Sequence, residues 1–173
     1  MILYRTPTMK PFSSSQTRAF TLVEIMVVVT IIGILAALGM PALQRVQMKT
    51  RANALINDLR VYTQAFATHA QETSRYPRDS AKGRVPTGMA DALGPGWTES
   101  TPIGGLYNYE YRKRARGTRY TAAIIIAHNG RNDRVNLDRN LLQIIDDQID
   151  DGNLLTGQFL LGAGNKPFYV IER

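Results

Sequence analysis

The stretch RAFTLVEIMVVVTIIGILAALGMPAL, residues 18–43, decides how this chain is organised. From Phe20 to Leu43 it holds 24 residues with a single charge, Glu24, which is long enough to cross the roughly 30 Å hydrocarbon core of a bilayer as a helix. Basic residues precede the run, so we expect the leader to stay cytoplasmic and the rest to be exported. A secretory signal peptide has a shorter apolar region, roughly 7–15 residues. Release of a secreted, non-polymerising domain at Gly39 is the alternative.

Glu24 is the unusual residue of this segment. A carboxylate in a membrane helix costs about 2.5–3.5 kcal/mol at the bilayer centre, and such residues usually have a specific partner. Cleavage between Ala19 and Phe20 would create an α-amino group four residues before Glu24. The start of a helix also favours a negative charge. The residues therefore predict that cleavage supplies the cation that neutralises the acid.

The order Arg18-Ala19-Phe20-Thr21-Leu22-Val23-Glu24, followed by the apolar run, resembles the class III signal of type IV prepilins and pseudopilins. The resemblance implies that a prepilin peptidase in the membrane cuts before Phe20 and methylates the new N-terminus. It also implies that Glu24 recruits the next subunit by pairing with the N-terminus of that subunit. Ala19 departs from the Gly that usually precedes the cut, and this departure is expected to slow cleavage.

Gly33 and Pro41 weaken the predicted helix. A proline inside a helix costs about 3 kcal/mol, and a glycine costs up to about 1 kcal/mol. Both positions match helix-weakening residues of the resembled family and are assembly candidates with Glu24. Two interpretations stay open, namely a kink or end of the membrane helix, and a segment that melts when subunits pack into a filament.

Beyond Pro41 the pattern becomes that of an amphipathic helix that ends near Glu72. The apolar residues that recur at intervals of three and four are predicted to face a core, and they are Met48, Ala52, Leu55, Leu59, Tyr62 and Phe66. A single helical turn is expected within residues 89–93.

The C-terminal half alternates between strand and helix signals. Leu106–Tyr111 and Tyr120–Ala127 read as strands, and residues 112–119 read as the basic tip between them. Asn132 or Asp133 is expected to cap a helix whose apolar face includes Val135 and which runs to about Ile149. A last hairpin is expected from 158–161 and 168–171, around the glycine-rich turn 162–165.

These elements predict an α+β, pilin-like fold in which a long N-terminal helix packs on a small antiparallel β-sheet. The expected division is a cytoplasmic leader, residues 1–19, that is removed, then a membrane and assembly helix, residues 20–43. A periplasmic globular domain follows, residues 44–173, and includes the amphipathic half of the helix.

Composition argues against most enzyme classes. The 173 residues contain no cysteine and two histidines, His69 and His128, on different predicted elements. No nucleotide-binding loop, nucleophile elbow or histidine or cysteine metal-ligand pair at helical spacing is present in the sequence. The formal charge is +7, but three of the 21 basic residues, and no acidic residue, lie in the first 19 positions. The chain is therefore predicted not to be an enzyme, and its charge is weak evidence for nucleic-acid binding.

Four aspartates near the end of the second predicted helix form like-charge pairs at a spacing of four residues. They also lie at a helix end where the helix dipole disfavours anions. Two interpretations stay open, solvation with arginine partners from elsewhere and a calcium site built from carboxylate oxygens. The resemblance adds that several pseudopilins carry a C-terminal calcium loop. The candidate ligands are Asp146, Asp147, Asp150, Asp151 and Asn153. Calcium is the one cofactor considered.

The basic tip is the other charged cluster. Its side chains could contact phosphates, or form a solvated hairpin end or a contact with acidic residues of a neighbouring subunit. They are Arg112, Lys113, Arg114, Arg116 and Arg119.

The function predicted from the sequence is that of a pseudopilin or minor pilin in a type II secretion or type IV pilus-like filament. Its expected partners are prepilin peptidase, other pilin or pseudopilin subunits and the bacterial inner membrane. It is expected to cross that membrane once, with its C-terminal domain in the periplasm. A nucleic-acid-binding pilin of a DNA-uptake apparatus is the alternative, although nucleic acid is not the expected partner.

Overall fold

The computed structural model describes residues 20–173, which fall into two compact units divided between Ala42 and Leu43. Helix α1 runs from Leu22 to Thr73, close to the predicted limits. In the first unit, every described residue up to Ala42 is exposed. In the second unit, one face of α1 is buried against the globular domain. That face consists of Ala52, Leu55, Ile56, Leu59, Tyr62 and Phe66.

Five aromatic rings form the centre of the globular core. Tyr62 meets Trp97 and Tyr107 edge-on, each with 5.0 Å between ring centroids. Phe66 stacks on Tyr109 at 4.4 Å. Such pairs add about 0.5–1.5 kcal/mol each beyond the burial of their area. Because these rings come from α1, from the connecting segment and from the first strand, the cluster joins the helix to the sheet.

The sheet has four antiparallel strands in the order β1-β2-β4-β3. Their bounds are β1 Leu106–Ala115, β2 Thr118–Ala127, β3 Phe159–Leu161 and β4 Pro167–Glu172. The predicted α+β arrangement of a long helix on a small antiparallel sheet is confirmed, and the last hairpin lies within one or two residues of its predicted limits.

The segment before the sheet covers the outer edge of β1. The Gly83 N–H donates to the Tyr107 carbonyl at 2.8 Å, and the Asp79 carboxylate accepts from the backbone N–H of Tyr111. The segment also contains the short helix α2, Ala90–Leu93, where a single turn was predicted, and a 3₁₀ turn at Pro95–Thr98. These contacts satisfy backbone groups that an open strand edge would leave unpaired.

Helix α3 begins later than the sequence predicted. It runs from Arg139 to Ile149, and Asp138 is its cap, accepting from the N–H groups of Asn140 and Leu141. The prediction that Asn132 or Asp133 caps this helix is wrong. The Asp133 carboxylate instead accepts from the Ser100 hydroxyl and the Gly105 N–H, which are 33 and 28 residues away along the chain, respectively. A tertiary contact therefore recruits the side chain that local spacing assigned to a cap.

The predicted basic tip is also corrected. The strands continue through most of it, and only Arg116 and Gly117, both at positive φ, form the turn. Arg112 also has a positive φ, 52°, and is skipped in the strand register.

The end of this hairpin bends back over the sheet. Ala115 and Tyr120 are buried in a second apolar cluster with Leu160, Phe168, Val170 and Ala123. The Arg116 Nε donates to the Leu161 carbonyl at 2.6 Å. Burial of small and aromatic side chains on the hairpin's inner face holds the bend.

Candidate assembly and cation sites

Glu24 lies at the start of α1 in a capping box with Thr21. The Glu24 Oε2 accepts from the Thr21 N–H at 2.9 Å and from the Thr21 hydroxyl at 3.0 Å. The Thr21 hydroxyl in turn accepts from the Glu24 N–H at 3.2 Å. This reciprocal arrangement satisfies N–H groups that the first turn of a helix leaves free. The sequence predicted a cationic partner for Glu24 and missed Thr21, although a threonine three residues before a glutamate is the usual signature of this motif.

The other assembly candidates lie within the same helix. Gly33 and Pro41 are exposed and inside the continuous α1, and a methyl group added at Gly33 would contact no neighbouring atom within 4 Å. Phe20 is exposed, whereas Ala19 lies outside the described residues. By length and composition, α1 can cross a membrane, and no residue of its apolar window is buried in the described structure.

Three of the predicted calcium ligands meet at the end of α3. Asp146, Asp150 and Asp151 each offer a carboxylate oxygen, and these oxygens lie within 4.8 Å of one another. Asp147 and Asn153 are not part of this group. Asp147 instead accepts from the Gln143 side-chain amide at 2.8 Å.

Asp146 is the unsatisfied member of the trio. It is completely buried, and neither of its carboxylate oxygens has a hydrogen-bond partner within residues 20–173. Burial raises the pKa of the Asp146 carboxyl to about 6, and the neighbouring Asp150 and Asp151 carboxylates add to the rise. A buried carboxylate without partners is costly unless it is protonated or binds a cation.

The other two members, the half-buried Asp150 and the exposed Asp151, are held by residues that follow them in the chain. The Asp150 Oδ2 accepts from the Phe159 N–H at 2.8 Å and from the Gln158 N–H. Asp151 accepts from the Asn153 N–H at 2.9 Å and the Thr156 hydroxyl at 2.7 Å. The remaining lone pairs on these oxygens and both Asp146 oxygens suit a hard, oxygen-binding cation such as calcium. The donor set therefore fits the ion that the resemblance implies.

The five basic residues of the predicted tip do not act as one surface. Lys113 pairs with Asp79 and Glu110 at 3.1 Å each, and the Arg112 guanidinium lies 5.1 Å from the centre of the Tyr111 ring. Arg116 is bound to the Leu161 carbonyl, as described above. Arg114 and Arg119 lie opposite each other across the two strands and are exposed.

The two histidines lie in different parts of the fold and have different neighbours. His128 Nδ1 accepts from the Val135 N–H at 3.0 Å, so this ring is part of the loop before α3. His69 lies on α1 close to Gly88.

Comparisons with known proteins point to the N-terminal segment. The prokaryotic N-terminal methylation motif matches residues 14–40. The type II secretion system core protein G of Klebsiella pneumoniae is 40% identical over 60 residues, which cover 35% of this chain and 43% of that protein. The chain thus spans less than half the length of this curated relative. These similarities confirm the predicted resemblance: the N-terminal segment is similar to the class III signal of type IV pilin-like proteins, and the long helix on a small antiparallel sheet agrees with it.

Proposed function

We propose that this chain is a structural subunit, a pseudopilin or minor pilin, of a type II secretion or type IV pilus-like filament, with no catalytic activity of its own. The observation that carries the proposal is the contrast within α1, since its N-terminal half buries nothing and carries the methylation motif. About 20 exposed apolar residues need lipid or neighbouring helices to cover them. A membrane anchor that later packs against other subunits provides both.

Processing follows from the same segment. Prepilin peptidase cuts between Ala19 and Phe20 and methylates Phe20, leaving the protein in the inner membrane with its C-terminal domain in the periplasm. The new α-amino group then lies one residue before the capping box of Thr21 and Glu24. We propose that Glu24 exchanges or shares its Thr21 hydrogen bonds with the N-terminus of a neighbouring subunit during assembly, while Gly33 and Pro41 let the helix adapt.

The test is the mass of the mature N-terminus after co-expression with a prepilin peptidase. We expect a chain that begins at methylated Phe20, and the Ala19→Gly variant should be processed faster. An Arg5→Gln variant, which changes a leader charge outside the quoted motif, serves as the control. A mature chain beginning at Met40 would instead support ordinary secretion and overturn the proposal.

We also propose that Asp146, Asp150 and Asp151 hold a calcium ion at the end of α3. A bound cation would neutralise the Asp146 carboxylate, whose oxygens have no hydrogen-bond partner among the described residues. Because Asp150 also accepts from residues 158 and 159, an ion there would join α3 to the start of β3. In this proposal the ion stabilises the globular unit and takes no part in a reaction.

A DNA-binding pilin is the second candidate. The observation in its favour is the exposed pair Arg114 and Arg119, because like charges directly opposite each other destabilise a hairpin unless an anion relieves them. Against it, Lys113 and Arg116 already have partners within the domain. Changing both Arg114 and Arg119 to Gln should weaken DNA binding and reduce its salt dependence if DNA is the ligand. We expect no sub-micromolar binding at physiological salt, and finding it, with loss in that variant, would favour DNA uptake.

A further inference from the structure

A pocket of about 410 Å³ opens between the bent hairpin, the start of α3 and the loop after α3. It lies wholly within the globular unit and takes no part in the proposed filament contacts. Its volume is within the range of small-ligand sites. Eleven residues line it, and they comprise five leucines, two arginines, three carboxamide side chains and one glycine. Not one of the eleven is acidic.

The two arginines give the pocket its charge. Arg139 is the first residue of α3, and in the part of the chain that the structure describes its guanidinium has no hydrogen-bond or ion-pair partner. Arg116 is fixed at the hairpin turn by its Nε bond to Leu161, which leaves its terminal NH₂ groups free. A guanidinium that is held in place through Nε and has its two terminal nitrogens unbonded is suited to bind a carboxylate. The lining therefore complements an anion.

The leucines give the pocket an apolar side. Leu142 and Leu154 are buried beneath it, whereas Leu155 at the rim is 55% exposed. An isolated exposed leucine needs no explanation, but here it adjoins buried leucines and two guanidinium groups that have no acidic partner among the described residues. The occupant that fits is both anionic and partly apolar.

The carboxamides distinguish between such occupants. The Gln143 amide is engaged by Asp147 and by the Gly152 carbonyl. The Asn165 side chain lines the pocket without a bond among the described residues. It can pair with a peptide amide, whereas an acyl chain offers it nothing. Arg173 of a second copy is a poor occupant, because its side chain is cationic and its carbonyl already accepts from the Thr121 hydroxyl.

We infer that this pocket binds the free C-terminal carboxylate of a partner polypeptide whose last residues are apolar. Arg116 and Arg139 bind the carboxylate, the leucines cover the final apolar side chains, and Asn165 binds the peptide backbone. The pocket is thus a docking site on the globular unit for a different protein.

The experiment uses the full chain in phosphatidylcholine nanodiscs and isothermal titration calorimetry. The probes are the peptide acetyl-Ala-Leu-Leu with a free C-terminus, the same peptide with a C-terminal amide, and octanoate. We expect saturable binding of the free acid and binding of the amide that is weaker by about tenfold or more, because charge-assisted hydrogen bonds are lost. Arg139→Gln should weaken binding of the free-acid peptide by a similar factor. Arg131→Gln, an exposed loop arginine outside the pocket, is the matched control.

A second variant protects the test against misfolding. Leu155→Ser removes an exposed side chain, so the fold should persist while affinity for the free acid falls several-fold. Equal affinity for acid and amide, or an Arg139→Gln variant that binds like the wild type, would overturn the inference. Octanoate that binds as tightly as the peptide would overturn the assignment to a polypeptide. Filament assembly does not enter the measurement, so a negative result leaves the proposed function unaffected.

Discussion

The two halves of α1 have the same secondary structure and opposite surroundings. Between Phe20 and Ala42 every residue is exposed, including Ile32 at 59% and Leu38 at 71%. Between Ala52 and Phe66, the residues of one face of the helix are buried, and each is 5% exposed or less. A helix that is apolar all round needs an apolar environment from outside the chain, whereas an amphipathic helix finds it in its own domain. The first half of α1 therefore needs lipid or other subunits to cover it, whereas the second half packs against the globular unit of its own chain.

The largest expected effect tests the first half. Glu24→Val should abolish filaments completely while membrane insertion is retained or improved, since the cost of a carboxylate in the bilayer is removed. Filaments are measured by sedimentation and electron microscopy, and insertion by membrane fractionation. Thr30→Val is the control, because within residues 20–173 its hydroxyl donates to the carbonyl of Met26 in its own helix and to no other group. Normal filaments of the Glu24 variant would mean that this carboxylate has no role in assembly.

The next effect compares core truncations in the two halves. Phe66→Ala should destabilise the globular unit by about 3–5 kcal/mol, because it leaves a cavity beside Trp97 and Tyr109. Ile32→Ala should change that unit's stability by less than about 0.5 kcal/mol, since Ile32 is exposed. Denaturant unfolding in nanodiscs, followed by the fluorescence of Trp97, measures both, because Trp97 is the chain's single tryptophan and is buried. If both variants lowered the free energy of unfolding by a similar amount, the contrast between the two halves of α1 would be wrong.

A smaller effect tests the charge inside the second unit. The Asp146 pKa in the folded state, about 6, lies above its ordinary value of 3.8, so the folded protein binds more protons between these values. Without calcium, stability should fall as the pH rises from about 4 to about 6, and then level off. At neutral pH, calcium at a hundredfold excess over its Kd should restore about 2.7 kcal/mol.

Variants separate the ion from general charge effects. Asp146→Asn should be more stable than the wild type in chelator at pH 7.5, and should gain less from calcium. Asp147→Asn makes the same charge change outside the trio and should keep the full gain. Thermal melts in chelator, in calcium and in magnesium measure these differences, with magnesium expected to act less. An identical melting curve in chelator and in about millimolar calcium would count against the site.

The smallest effect concerns a local contact in the globular unit. Asp138→Ala should cost about 1 kcal/mol, because it removes the cap of α3. Asn132→Ala should change stability by less than about 0.5 kcal/mol, although the sequence offered Asn132 as a cap. Urea unfolding compares the two variants. A larger loss of stability in Asn132→Ala than in Asp138→Ala would mean that α3 begins where the sequence predicted.

Several elements could be predicted because their signals are local. The apolar run, the three- and four-residue repeat of α1 and the last hairpin all lie close to their predicted bounds. Candidate sites were harder. Asp146 was one of four similar aspartates in the sequence, and only the fold shows that it alone is buried. Asp147, one residue later, points to Gln143 instead.

The sequence by itself determined the long apolar segment, the methylation motif and the α+β order of elements, because hydrophobic period and residue order act over a few turns. Tertiary structure alone decided the rest. It drew Asp133 away from capping a helix, bent the basic hairpin over Leu160 and Phe168, and brought Asp146, Asp150 and Asp151 together at the end of α3. These outcomes depend on contacts between residues far apart in the chain, where burial of apolar surface outweighs the preference of any short segment.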